Sequence, residues 1–345
     1  MLKINPRYVA QVRAAAGPED LHGMVQSAIE LEHATIPTYL CAYFTLKRGT
    51  NQPIAEIIRS VLIEEMLHMS IASNLLIALG GHPSIDNPAF VPKYPGPLPM
   101  GIGDGLIVPL ARCSIELVRD VFMKIEEPVD PLPLKAFAAE TPSYSTIGEF
   151  YAAIADKLRE FGPSAFSRPS GPQMLNNNWF PADELFRIHD VDSACSAIDI
   201  IVRQGEGTKI SPVDLEGGIA HYYRFEQIVK GRRLVAAPKA EHGYAFAGAP
   251  LTLDLRNVWN MQENPDPDKL PPGSRARQVS LQFAAAYTSL LRALHEAFNG
   301  KPDAINQAMG LMYELRLLSQ QVLETPLPDS PGQSTGLSFR YQPSI

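Results

Sequence analysis

The sequence predicts a mainly α protein: a helical bundle with long Pro/Gly-rich loops and an additional C-terminal helical pair. Three observations carry this. Apolar residues recur with helical period in long segments. Strand-like alternation is too sparse for a Rossmann or barrel architecture. Proline reaches 31 of 345 residues, about 9% against a usual ~5%, and it gathers between the helical segments rather than in them. With 45% apolar residues, the chain has ample material for a core.

The elements follow in order. Asp20 can cap a helix over 21–47, with Pro37 inside it. A proline there removes a backbone hydrogen bond and crowds the preceding turn, so a kink or a break is expected. A second helix runs from Pro53 to Leu79, started by a proline in its first turn and stopped by Gly80-Gly81. At 27 residues it spans about 40 Å. Residues 82–109 lose all periodicity and read as a long loop, which a compact protein rarely keeps without a use. Helices are expected over 110–126, 146–161, 191–204 and 212–229, separated by loops at 128–142 and 163–182. From 234 to 274 short apolar pieces lie among Pro, Gly and Asn as small strands or irregular cover. Two helices, 275–298 and 302–323, joined by Asn299-Gly300-Lys301, suit an antiparallel hairpin. The tail from Pro326 reads as coil. The domain reading is a helical domain with loop excursions over 1–233, and an irregular segment plus hairpin over 234–345 packed on the same core.

Charge and cysteine content narrow the function. Thirty Lys and Arg against 37 Asp and Glu give a net charge of −7, and no basic run suits nucleic acid. Cys41, Cys113 and Cys195 are odd in number and far apart, with no CxxC, which disfavours a disulfide scaffold or a thiolate metal site. The N-terminal residues lack the apolar run of a secretory signal, and the longest apolar stretches carry charges or His, whereas a span needs about 20 apolar residues. A cytoplasmic protein with a small-molecule partner, and neither a nucleic-acid nor a membrane partner, is the expectation. The sequence leaves a homo-oligomer open. No G-x-S-x-G elbow or Walker A motif is present, and Gly101-Ile102-Gly103-Asp104-Gly105 lacks the context of a dinucleotide fingerprint.

The strongest local signal is Glu64-Glu65-Met66-Leu67-His68. Glu65 and His68 are three apart, so on a helix they point the same way. Flanking Val61, Leu62, Leu67, Ile71, Ala72, Leu75 and Leu76 turn that face inward. A buried carboxylate needs a partner, and a carboxylate beside an imidazole can share a cation. Glu-x-x-His is the unit of helix-bundle dinuclear sites, distinct from the HExxH of zinc proteases, which is absent. A simple Glu–His hydrogen bond is the bland alternative. The preceding helix carries Glu30 and Glu32 in another apolar setting. They stand about 200° apart, so only one can face inward. His33 points about 100° from Glu32.

These pieces resemble a known family. Glu32–Leu40 (Glu-His-Ala-Thr-Ile-Pro-Thr-Tyr-Leu), Glu64–Met69, Asn74-Leu75-Leu76 with Gly80-Gly81, Gln204-Gly205-Glu206-Gly207 and Ala220–Phe225 (Ala-His-Tyr-Tyr-Arg-Phe) are similar in order and spacing to the ferritin-like domain of the iminophenyl-pyruvate dimer synthases of bisindole biosynthesis. The likeness covers roughly 20–230, and Phe298-Asn299-Gly300 with its helical pair resembles the companion region. It implies a ferritin-like bundle with metal ligands Glu32, Glu65 and His68, Glu149 from a third helix, and Glu206 and His221 from the remainder. This chain departs from the pattern at Arg203 and Gly218, where resembling proteins commonly carry an acid. Those departures leave one metal ion or two as alternatives. Tyr39, Tyr222, Arg203 and Arg224 are the candidate catalytic residues. The tyrosines have packing or hydrogen bonding as their plainer role, and the arginines have pairing with a ligand carboxylate or an ordinary salt bridge.

A carboxylate-rich site with histidine suits a hard to borderline divalent metal. Iron is the first reading, with manganese and zinc as alternatives. The resemblance implies a metal-dependent oxidative enzyme acting on a small, amino-acid-derived molecule in secondary metabolism. The competing reading is a non-catalytic metal-binding or structural protein. The long loops, with Phe90, Tyr94, Phe166, Trp179, Tyr244 and Phe246, are expected to cover the bundle and shape a pocket.

Overall fold

In a computed structural model the chain forms a bundle of nine helical segments among the described residues, which are 3–103, 105–128, 145–176, 178–206, 211–213, 217–240 and 243–342. The helices are α1 (Arg7–Arg13), α2 (His22–Thr45), α3 (Gln52–Ala78), α4 (Ile115–Leu117, continued by a π-wound stretch Val118–Phe122 and Met123–Ile125), α5 (Ile147–Phe161), α6 (Val191–Glu206), α7 (His221–Lys230), α8 (Arg275–Phe298) and α9 (Ala304–Glu324). The described residues also form three two-stranded antiparallel ribbons: Lys3–Ile4 with Ser145–Thr146, Val235–Ala236 with Tyr244–Ala245, and Pro326–Leu327 with Ser330–Ser334. The last of these replaces the coil expected after Pro326.

α2 and α3 lie side by side at the centre. Every residue from Leu31 to Ala42 is buried, and so is every one from Leu67 to Leu79. α3 is long and apolar enough to cross a membrane by composition, but here it is the bundle's core helix. α2 runs unbroken through Pro37. A neighbouring group serves a carbonyl beside the proline: Tyr94 Oη donates to the Ala34 oxygen at 2.6 Å. α3 stops where Gly80 takes a left-handed φ of 88°. A Cβ there would sit 2.8 Å from the Arg168 carbonyl oxygen, so only glycine fits.

Three boundaries differ most from expectation. α4 begins at Ile115, five residues after the expected start at 110, with Ser114 as its cap. α6 continues through Gly205 to Glu206. α7 begins only at His221, nine residues later than the periodicity predicts, so Gly218 precedes the helix. The expected loop at 128–142 falls almost entirely outside the described residues. One continuous apolar core joins residues of both halves of the chain, from Ile4 and Val9 to Leu337 and Phe339.

Candidate metal centre

The buried polar side chains of α2 and α3 each have a partner. Glu32 on α2, Glu65 and His68 on α3, Glu126 just past α4 and His221 at the start of α7 converge between the helices, all at most 6% exposed. They form two triads that share Glu65: Glu32–Glu65–His68 and Glu65–Glu126–His221, with donor atoms inside each triad within 4.8 Å of one another. His68 Nδ1 lies 3.6 Å from Glu32 Oε2. His221 Nδ1 lies 2.9 Å from Glu65 Oε1 and 3.6 Å from Glu126 Oε2. The two imidazole rings are nearly parallel, 5.6 Å apart.

The outer contacts orient these groups. Tyr151 Oη donates to Glu32 Oε1 at 2.6 Å, and Tyr39 Oη donates to Glu126 Oε1 at 2.5 Å. Thr35 Oγ1 donates to the shared Glu65 at Oε2, 3.0 Å. His68 Nε2 meets Gln204 Oε1 at 2.9 Å, and Gln204 Nε2 donates to Glu184 at 3.2 Å. His221 Nε2 lies 3.0 Å from Glu64 Oε2, while Arg224 Nη1 donates to Glu64 Oε1 at 2.6 Å. Both histidines therefore turn Nδ1 toward the carboxylates and anchor Nε2 outside. Tyr39 is itself fixed by an aromatic trio with Phe122 and Phe225, at centroid separations of 4.6 and 5.2 Å.

Electrostatics set the chemistry. Burial raises the Glu65 pKa, and the charge of Glu126 adds to it. Burial alone would lower the pKa of His68 and His221, but Glu32 beside the first and Glu126, Glu64 and Glu65 around the second raise both. Burial and the neighbouring carboxylates push the phenols of Tyr39 and Tyr151 well up, so both stay protonated donors. For Glu64, burial acts upward, yet His221 and Arg224 hold it down at about 2. A divalent cation would compete with protons for the histidine lone pairs, so its uptake is expected to release protons.

The residues fit a metal on a specific observation. His221 Nδ1 is buried and has no aligned hydrogen bond, although carboxylate oxygens surround it. A buried ring nitrogen facing two carboxylates without an aligned hydrogen bond suits a cation shared among all three groups. The donor set, carboxylate oxygen with imidazole nitrogen, matches first-row divalent ions. A cavity of about 30 Å³ opens among the donors, walled by Leu31, Ile147, Ile201 and Val202; it has room for ions or a couple of waters.

The structure brings Glu32, Glu65, His68 and His221 together, sets Tyr39 behind Glu126, and gives Glu149, Arg203, Tyr222 and Arg224 partners outside the triads. Glu149 is exposed and caps α5: it accepts from Thr146 N at 3.2 Å, and its own N–H donates to Thr146 Oγ1 at 3.0 Å. That helix contributes Tyr151 to the centre instead of a carboxylate. The side chain of Glu206 lies outside the described residues. Arg203 turns one helical turn back to Asp199, Nε–Oδ2 2.8 Å, while its neighbour Gln204 faces His68. Arg224 acts on Glu64, and Tyr222 packs edge-on against Tyr223 with centroids 5.1 Å apart. Gly218 lies outside any helix, so an acid at that position would not share a helical face with His221.

Glu126 is the group that sequence reasoning missed. The π-wound stretch Val118–Phe122 interrupts α helical phase; one inserted residue rotates the remainder of the helix by roughly 100°, so periodicity could not aim Glu126. The available signal was an acid at the end of an apolar helix, Phe122-Met123-Lys124-Ile125-Glu126. The loop aromatics cover the bundle but do not shape the cavity at the triads. Tyr94, Phe166, Trp179 and Phe246 pack onto the core, and none lines the cavity at the triads. Phe90 borders a separate cavity of about 320 Å³ beside Tyr8 and Glu30, where Glu30 takes the face of α2 that Glu32 does not.

Comparison with known proteins agrees with this architecture. The family model described as ferritin-like matches residues 25–230. Dichlorochromopyrrolate synthase of Lentzea aerocolonigenes is 27% identical over 307 residues, which cover 80% of this chain and 28% of that enzyme. This chain thus spans little more than a quarter of the curated relative's length. The crystal structure of a ferritin-like protein from Caulobacter vibrioides superposes with a TM-score of 0.59 at 23% identity, covering 92% of this chain and 97% of that one. That likeness shows the fold. The chain belongs to the ferritin-like family.

Proposed function

We propose that this ferritin-like protein is a metal-dependent oxidative enzyme of small-molecule metabolism, with iron as its metal and an amino-acid-derived molecule as its substrate. The observation that carries the reading is the pair of carboxylate–histidine triads sharing Glu65, a donor set for two ions. The biosynthetic relative supports the substrate class. Glu32, Glu65 and His68 would hold one ion, and Glu65, Glu126 and His221 the other. Bound iron would supply redox chemistry with dioxygen.

The chain's own residues do the rest. Tyr39 and Tyr151 hold the terminal carboxylates by donated hydrogen bonds, so each keeps its second oxygen toward the centre. Leu31, Ile147, Ile201 and Val202 give the cavity apolar walls that exclude bulk water. Its size, about 30 Å³, favours one second reading: a metal-binding protein without an organic substrate.

Elemental analysis of protein purified without chelator tests the first step. Near two iron atoms per chain is the expected result. Oxygen uptake by the Fe(II)-loaded protein then separates the readings. Uptake stimulated by imino acids derived from aromatic amino acids supports the enzyme. Uptake that matches free Fe(II), with or without such compounds, leaves the binding protein.

A further inference from the structure

The two halves of the centre match closely in their inner groups. Each offers two carboxylates, one of them the shared Glu65, and one imidazole through Nδ1. Each terminal carboxylate accepts from one buried tyrosine, at 2.6 Å for Glu32 and 2.5 Å for Glu126. The halves part at the far side of the imidazoles. His68 Nε2 rests on the neutral amide of Gln204 at 2.9 Å. His221 Nε2 rests on a carboxylate, Glu64, at 3.0 Å. Arg224 holds the other oxygen of that carboxylate at 2.6 Å and is itself tied to the Ile219 carbonyl and Ser60 Oγ.

An anionic partner on the outer nitrogen makes an imidazole a stronger donor and fixes its ring, and loss of such a partner typically weakens metal binding 10–100-fold. With the inner groups equal, the outer partner decides. We propose that Glu64, held by Arg224, is a positioning residue that makes the two metal positions unequal, so that the Glu65–Glu126–His221 position fills first and the Glu32–Glu65–His68 position second. The inference rests on the metal reading of the site and adds an order of loading to it. Arg224 is thereby a scaffold for Glu64 rather than a group facing substrate, and its hydrogen bonds fix where the carboxylate points.

The test is Co(II) titration of the chelator-stripped full chain, followed by its visible absorption bands, with far-ultraviolet circular dichroism as the control for folding. Wild type is expected to load in two phases, the first at least about 10-fold tighter. His221→Ala should remove the tight phase and His68→Ala the weak one. Glu64→Gln keeps the shape and removes the charge. It should weaken the remaining position about 10–100-fold in the His68→Ala background and leave the remaining position unchanged in the His221→Ala background. A merely structural role for Glu64 would move both backgrounds alike. Equal phases in wild type, or a tight phase that survives His221→Ala, would overturn the order while leaving the metal site intact. No cobalt binding in wild type would overturn the metal reading and this inference together.

Discussion

The central pair α2–α3 and the C-terminal hairpin α8–α9 are both long antiparallel helical pairs, yet they hold different information. The central pair is buried on all sides over Leu31–Ala42 and Leu67–Leu79, and its buried polar residues sit where no water can serve them. Each one is therefore bound to a partner: Glu32 and Glu65 to the centre, Thr35 to Glu65, Thr38 to the Pro109 carbonyl, His33 to Tyr287. The hairpin is amphipathic. Its inner stripe includes Phe283, Leu291, Leu315 and Val322, and its outer face carries Tyr313 and Leu317 at 62% and 61% exposure. A buried polar residue in the first pair has a specified task, because its isolation would be expensive. An exposed residue in the second is nearly free to change.

The sharpest break in that comparison is Glu65→Ala. It removes the carboxylate common to both triads, and metal content should fall from about two ions to none, with affinity lowered well beyond ~100-fold. His68→Ala should remove one ion only. Elemental analysis and circular dichroism on both variants check this. Two ions retained by Glu65→Ala would mean that the triads are not the site.

Next in size is the stabilisation conferred by the metal. A ligand that binds only the folded chain adds about 4 kcal/mol when present at a thousandfold excess over its dissociation constant. Thermal unfolding of chelator-treated wild type, with and without Mn(II), should show an upward shift. Glu65→Ala should show none. An equal shift in both proteins would place the stabilising ion elsewhere.

The two regions meet at one buried bond, which offers a third and smaller test. His33 Nε2 and Tyr287 Oη lie 2.7 Å apart, joining α2 to α8. Burial lowers the His33 pKa to about 3, so the ring stays neutral and depends on this partner, while its Nδ1 has none. Tyr287→Phe should destabilise the protein by about 1–3 kcal/mol in urea unfolding, without changing metal content. Loss of metal in this variant would mean that the hairpin helps to shape the centre.

Much of the contrast was legible in the sequence, and the reason differs by residue. The Glu65–His68 pair stood out because a three-residue spacing in an apolar helix leaves few alternatives. Glu32 could be separated from Glu30 by the 200° between them, and the structure places them on opposite cavities. The hairpin followed from periodicity and its Asn-Gly joint. The third carboxylate was not legible. Glu149 follows Thr146 by three, which is as good a capping box as a ligand position, and the cap is what forms. Glu126 lies beyond a π-wound stretch that no local pattern announced. Arg203 and Gln204 are adjacent, and a difference of one helical step decides which faces His68. Sequence periodicity resolves faces, but it does not resolve a phase slip or the late start of α7.

The smallest expected effect lies on the outer face of α9. Tyr313 and Leu317 are one helical turn apart and exposed, so Leu317→Glu exchanges a solvated apolar side chain for a solvated charge. Such substitutions usually change stability by no more than about 0.5 kcal/mol, and glutamate is a good helix former. Arg316 next to it reaches inward across the Tyr43 ring on α2, 4.7 Å from the centroid. Arg316→Ala should therefore have a somewhat larger effect, about 0.5–1 kcal/mol. Measured side by side in urea, the order Arg316→Ala above Leu317→Glu follows from which side chain touches the central pair. If Leu317→Glu were the more damaging, or altered the oligomeric state by size-exclusion chromatography, this face would be covered in solution and the hairpin would be more than a support for the centre.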